Sequence, residues 1–246
     1  NAARIKAGGL VFIETAFHPV LGDGIVALKS LRSRVAGGNV MGSATVTAGR
    51  GVVKADMRLE VAKLDLGAAL TAMAVPDLVT GKLDIRIRLA GSGRSVRAIM
   101  AGLGGSTSVV MGEGTIHNRY VNLIGADLLR VLVPDGSVEK GTRVNCLVSR
   151  FTVKQGIATS RALLFDTDLV TVGGKGAIDL RDETLDLKLV PKPKHASLLS
   201  LAVPFNLGGT LASASAAPDT AAVAKGVAGA LLGGMINPLG ILVPLV

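Results

Sequence analysis

The sequence predicts a mainly β fold: a long, curved antiparallel sheet forming an open groove or half-barrel, with a few short helices. Three observations carry this. Oily and charged residues alternate over whole segments, as at 81–90, where Leu83, Ile85, Ile87 and Leu89 interleave with Lys82, Asp84, Arg86 and Arg88. Successive side chains of a strand point to opposite faces, so such a stretch has one wet face and one apolar face. Turn residues separate these runs at short intervals, which favours consecutive hairpins over parallel βαβ units. The chain is also 49% hydrophobic but only 2% aromatic. It lacks the rings from which cores gain much of their burial.

Taken in order, runs around 10–17, 25–36 and 39–48 read as strands, divided by "GDG" at 22–24 and "AGG" at 36–38. After "AGRG" at 48–51, Val53, Ala55, Met57, Leu59 and Val61 alternate with Lys54, Asp56, Arg58 and Glu60. A helix is expected over 65–74, with Asp65 as its N-cap and Pro76 beyond its end. The 81–90 strand leads to a second helix over 95–103, begun by Ser95 and stopped by Gly104 and Gly105. A strand at 106–116 precedes a third helical pattern at 122–133, where Leu123, Leu128, Leu129 and Leu132 share a side before Pro134. Strands follow around 143–153, 157–164 and 168–180, and Leu185, Leu187 and Leu189 alternate with Thr184, Asp186 and Lys188. Residues 191–195, "PKPKH", read as a stiff basic connection leaving that strand. A final strand and a linker of small residues fill 206–219, and a fourth helix falls within 219–236.

The chain thus divides into a β-groove domain, 1–218, and a small-residue-rich, apolar C-terminal tail, 219–246, helical or irregular. No charge follows Lys225, a length that could cross a bilayer. Pro238, Pro244 and five glycines interrupt any regular helix there. The tail is expected to pack on the sheet, plug the end of the groove or touch a membrane face. The chain starts at Asn1 with no targeting pattern, and is read as a processed or truncated piece with any anchor upstream.

Energetics then narrows the fold. Leaving four Leu or Ile side chains of each strand in water forgoes about 2 kcal/mol apiece. Few short helices are available to roof ten or so strands. The sheet must close on itself, or its inner face must be lined for a foreign apolar ligand. The scarcity of large residues favours the second. Met57, Leu59, Val61, Leu83, Ile85, Ile87, Leu89, Leu185, Leu187 and Leu189 are the residues expected to line a lipid groove.

The net charge of +9 and pI of about 10.1 point to an anionic partner. Nucleic acid is set aside, because the basic residues are scattered and stacking aromatics are nearly absent. Lipid head groups suit a dispersed positive face better, with Arg94, Lys192 and Lys194 as the candidate contacts. No catalytic residue, metal site or cofactor is assigned. Gly91-Ser-Gly-Arg-Ser95 resembles an anion-holding turn but completes no phosphate-loop pattern, and Ser95 serves it as an N-cap. His18, His117 and His195 are far apart and have no metal-ligand spacing. Glu113, His117 and Tyr120 would serve an acid–base reading if they converged, yet their glycine-rich surroundings equally describe a turn. Cys146 reads as a small buried hydrophobe.

Several segments together resemble the C-terminal region of the AsmA family. They are the strand-plus-"GSGRSVRAIMAGLGGSTSVVMGEGTIHNRYVNLIGADLLRVL" stretch, the run "RALLFDTDLVTVGGKGAIDLRDETLDLKLVPKPK", "LAVPFNLGGTLASASAAPD" and "INPLGILVPL". Matching residues include Gly91, Gly93 and Ser95 before the second helix, Gly112 and Gly114 after it, and Gly176, Pro204, Gly208, Gly209 and Pro218. The resemblance runs from about residue 80 to 246; residues 1–80 fit as earlier strands without a signature. It implies an envelope protein of Gram-negative bacteria: a periplasmic, bridge-like β-groove tethered to the inner membrane by an N-terminal helix absent here. It further implies phospholipid transport between inner and outer membranes and outer-membrane homeostasis, with no enzymatic activity. The expected partners are phospholipid acyl chains or other envelope lipids, the membrane through that anchor, and envelope proteins. The alternative is a structural or assembly factor for outer-membrane protein or lipopolysaccharide biogenesis.

Overall fold

The computed structural model describes residues 2–75, 79–116, 141–194 and 203–219. Strands make up 76% of them and form one antiparallel sheet of thirteen strands that does not close. Every strand pairs with its sequence neighbours, so β1 and β13 are the edges. In order they are β1 Ala2–Ala7, β2 Leu10–Gly22, β3 Ile25–Val35, β4 Gly38–Gly49, β5 Val52–Asp65, β6 Val79–Gly93 and β7 Gly104–Ile116. Then come β8 Thr142–Lys154, β9 Ile157–Thr167, β10 Val170–Asp179, β11 Thr184–Pro193, β12 Phe205–Thr210 and β13 Ala214–Pro218. Helix α1, Leu66–Ala72, joins β5 to β6, and α2, Val96–Ala101, joins β6 to β7.

Both helices begin where the sequence places them. The Asp65 carboxylate accepts from the Ala68 N–H at 3.0 Å, and the Ser95 hydroxyl accepts from the Ala98 N–H at 3.2 Å. Each satisfies a backbone donor that a first helical turn leaves open. The 122–133 and 219–236 helices and the apolar tail lie outside the described residues.

Three local readings are corrected. β1 is a strand although the sequence reading starts its strands at residue 10; Ile5 and Ala7 face Phe12 and Leu10 across the ladder. β13 occupies the stretch read as linker, because β12 offers it an open hydrogen-bonding edge despite its lack of large side chains. Pro191 and Pro193 belong to β11 rather than to a solvated connection. There β11 pairs with β10 alone, since its ladder with β12 stops at Leu189 opposite Phe205. Proline has no N–H, and an unpartnered flank is where a strand tolerates it.

The ladders are not regular. Register shifts interrupt β2–β3, β3–β4, β5–β6, β6–β7, β8–β9 and β9–β10. Glu14 and Lys63 sit at two of them with φ of 51° and 57°. Bulges bend a strand and raise its twist, and here the sheet curls into a groove-like form. Backbone crowding demands glycine at Gly105, whose φ is 137° and whose Cβ would lie 2.0 Å from the Arg88 carbonyl oxygen.

Packing is divided into three apolar clusters. Val35, Val40 and Val61 gather Leu10, Phe12 and Ile85; Met111, Ile116 and Val144 gather Leu66, Leu83 and Phe165; Leu103, Val153 and Ala158 gather Leu89, Phe151 and Ile178. Each spans a few neighbouring strands, and contacts between strands run almost wholly between sequence neighbours.

Candidate functional site: an apolar trough

Directly paired residues in an antiparallel ladder project to the same face, so the register traces that face across the sheet. One row runs Pro19, Leu28, Ala44, Met57, Leu89 and Gly105, and continues Val153, Ala158, Ile178, Leu185, Gly209 and Ala214. From β2 to β13 it carries no charge and no polar side chain. A parallel row contains Val40, Val61, Ile85, Val109, Leu163, Gly174 and Leu189, with Ser149 between Val109 and Leu163. Between these rows, Leu59 opposes Ile87, and Ile87 opposes Thr107. Leu83 belongs to a further row through Met111, Leu147, Phe165, Val172 and Pro191. Leu187 pairs with Gly176 and Leu207.

All ten groove residues expected from β5, β6 and β11 therefore share one face. Their enclosure differs. Val61 and Leu187 are buried, Met57 is 38% exposed, and the other seven are half-buried. Toward the β2–β3 turn the same face opens further: Phe17 is 43%, Val26 58% and Leu21 76% exposed. The buried hydroxyls of Thr15 and Ser33 on this face share a hydrogen bond of 2.8 Å, and Ser33 Oγ donates to the Ile13 carbonyl. Bare polar groups there would be costly.

The two described helices cover the ends of the sheet. α2 lies against the α2-side end of β6, so closely that a Cβ on Gly93 would fall 2.5 Å from the Ala98 carbonyl carbon. Arg97 of α2 meets Asp182, in the turn between β10 and β11, at 2.7 Å. At the opposite end Leu66 of α1 packs with Met111, Ile116 and Val144. Among the described residues no helix is long and apolar enough to cross a membrane.

The sequence did not single out Val109, Met111, Leu147, Phe151 and Phe165, which lie on this face. β7 and β8 place apolar residues on both sides, as in Val109-Val110-Met111, which erases the alternation. In β9 the extra residue Arg161 shifts its phase. The pairing register is the signal that finds them.

The expected head-group contacts are dispersed. Arg94 is exposed at the junction of β6 and α2, and Lys192 is exposed opposite Thr171. Lys194 instead pairs with Asp166 at 2.8 Å. That ion pair comes first among the causes that hold the Asp166 carboxyl down at about 2, followed by hydrogen bonds from Thr171 and Asn145; partial burial opposes them. His18 is exposed within β2, Glu113 is exposed on β7, and Cys146 is half-buried on β8. His117, Tyr120 and His195 lie outside the described residues, and with them any acid–base pairing of Glu113.

No solved structure matches the chain significantly. AsmA family protein YhjG of Escherichia coli (strain K12) is 22% identical over 245 residues, which is 99% of this chain and 36% of that protein. The chain therefore spans little more than a third of its curated relative. The AsmA family model matches residues 1–163, so the family's signal reaches into residues 1–80, where strands alone are legible. With more than half of its length matched by that model, the chain belongs to the AsmA family.

Proposed function

We propose that this chain is a lipid-binding module that carries acyl chains along its apolar trough, as part of phospholipid transport between the inner and outer membranes. Membership of the AsmA family, which is not known as an enzyme family, supports an envelope-associated role. The finer reading places the module in the periplasm, tethered to the inner membrane through a segment outside this chain, and serving outer-membrane homeostasis. One observation carries it: a continuous uncharged face crosses the sheet, and its middle is roofed by no other described element. Apolar area left in water costs about 25 cal/mol per Å², and hydrocarbon would relieve it. Acyl chains are flexible, so a lining of Leu, Ile, Val and Met suffices without shaped pockets. Head groups would ride at the rim, and movement would follow a chemical gradient with no bond made or broken.

Met57 and Ile87 are the residues for the test, because neither belongs to the three clusters that hold the fold. The double variant Met57→Asp/Ile87→Asp is expected to fold and to lose co-purifying lipid, read by native mass spectrometry and organic extraction. Equal lipid on parent and variant would remove the trough from the mechanism. A parent without lipid, with the face filled by its own chain, would favour an assembly role through protein contacts.

A further inference from the structure

The opposite face of the sheet carries charges, and some of its cations have acidic partners. Arg34 pairs with Glu14, Arg58 with Asp56, Lys82 with Asp65, Arg86 with Glu60, and Lys188 with Asp219. Arg88, Arg150 and Arg161 have none: among the described residues none of the three forms an ion pair. They nonetheless border one shallow depression of about 320 Å³, together with Arg86, Ser106, Ser108 and Thr152, and no carboxylate lines it.

The register explains the convergence. Arg88 opposes Ser106, which opposes Thr152; one row away, Arg86 opposes Ser108, which opposes Arg150. Guanidinium and hydroxyl groups thus lie side by side across three strands. The third guanidinium arrives by a bulge: Ser160 and Ala162 oppose the consecutive residues Phe151 and Arg150, leaving Arg161 as the inserted residue. A bulge of this kind re-aims its extra side chain. Arg161 Nε donates to the Thr152 hydroxyl at 3.0 Å, which holds it on the polar face. Arg88 also stands directly across from Arg58, an arrangement of like charges that destabilises a sheet. The fold bears that repulsion beside a depression in which every lining charge is positive.

The geometry points to a binding site for a phosphate group on this face, made by Arg88, Arg150 and Arg161 with the hydroxyls of Ser106 and Thr152. Arginine offers planar, paired N–H donors that match phosphate oxygens, and charge-assisted bonds of this kind are about twice as strong as neutral ones. The phosphate could arrive on a soluble ester or on a head group at a bilayer surface. The site lies on the other face from the trough and stands independently of what the trough carries.

The test uses the whole chain with two probes, inorganic pyrophosphate by titration calorimetry and vesicles of phosphatidylglycerol against phosphatidylcholine by flotation. The variant Arg88→Gln/Arg150→Gln/Arg161→Gln is compared with Arg34→Gln/Lys82→Gln/Arg181→Gln, which removes the same charge elsewhere. The site variant is expected to weaken binding by about tenfold or more, and the control by no more than about twofold. Loss of pyrophosphate binding assigns a soluble source. Loss confined to phosphatidylglycerol vesicles assigns the bilayer. No binding of either probe by the parent, or equal loss in both triple variants, would overturn the site. Should the site triple fail to fold, Arg150→Gln alone, an exposed position, carries the comparison.

Discussion

Val144 and Met57 lie on the same apolar face, yet Val144 is fully enclosed and Met57 is 38% exposed. Removing methyl groups from an enclosed side chain forfeits both transfer energy and packing, because the surroundings collapse only partly. Val144→Ala is expected to cost about 2 kcal/mol in urea unfolding, whereas Met57→Ala should cost less than about 1 kcal/mol. Asp166 supplies a second residue-level test. Its carboxyl titrates near 2 in the fold, held down chiefly by Lys194, against about 3.9 in an unfolded chain. The stabilisation is therefore complete above about pH 4 and drains away as the pH falls towards 2. Asp166→Asn should destabilise the protein at neutral pH and flatten the acid side of its stability profile between those limits. A parallel pair of profiles would remove Asp166 from the account.

The elements were legible to different degrees, and for physical reasons. β5 alternates strictly from Val53 to Val61 and β6 from Lys82 to Leu89, since one face meets water and the other the trough, so their strands and inward residues could be read directly. α1 and α2 announced themselves through Asp65 and Ser95. β1 and β13 could not be read, because their strand character comes from a neighbour's open edge rather than from their own side chains. The inward residues of β7 to β9 were hidden by apolar residues on both faces and by the Arg161 insertion, which exchanges inside and outside partway along a strand. The phosphate site was hidden by distance along the chain: Arg88 and Arg150 are 62 residues apart, and both meet Arg161 only through register and the β9 bulge. At this scale α2 is the exposed test. Gly93 admits it by lacking a Cβ, so Gly93→Val should lift it from β6. Hydrogen exchange over 96–101 should accelerate while that over β8 stays slow. The Arg97–Asp182 pair, exposed as it is, should matter far less, since such pairs contribute about 0–1 kcal/mol.

The described sheet is a meander in which each strand answers mainly to its neighbours and the clusters do not merge. Stability in such a body is a sum of local terms, and cooperativity weakens with distance along it. Hydrogen exchange is expected to grade from slow in β5–β9 to fast in β1, β12 and β13, and chemical unfolding should fit poorly to a single two-state transition. Uniform protection in all thirteen strands would contradict this. The meander also works as a ruler. Neighbouring strands are spaced by about 4.8 Å, so each further hairpin would lengthen the sheet by about 10 Å at constant cross-section. A protein built this way changes its length by counting hairpins, with no redesign of the trough's cross-section.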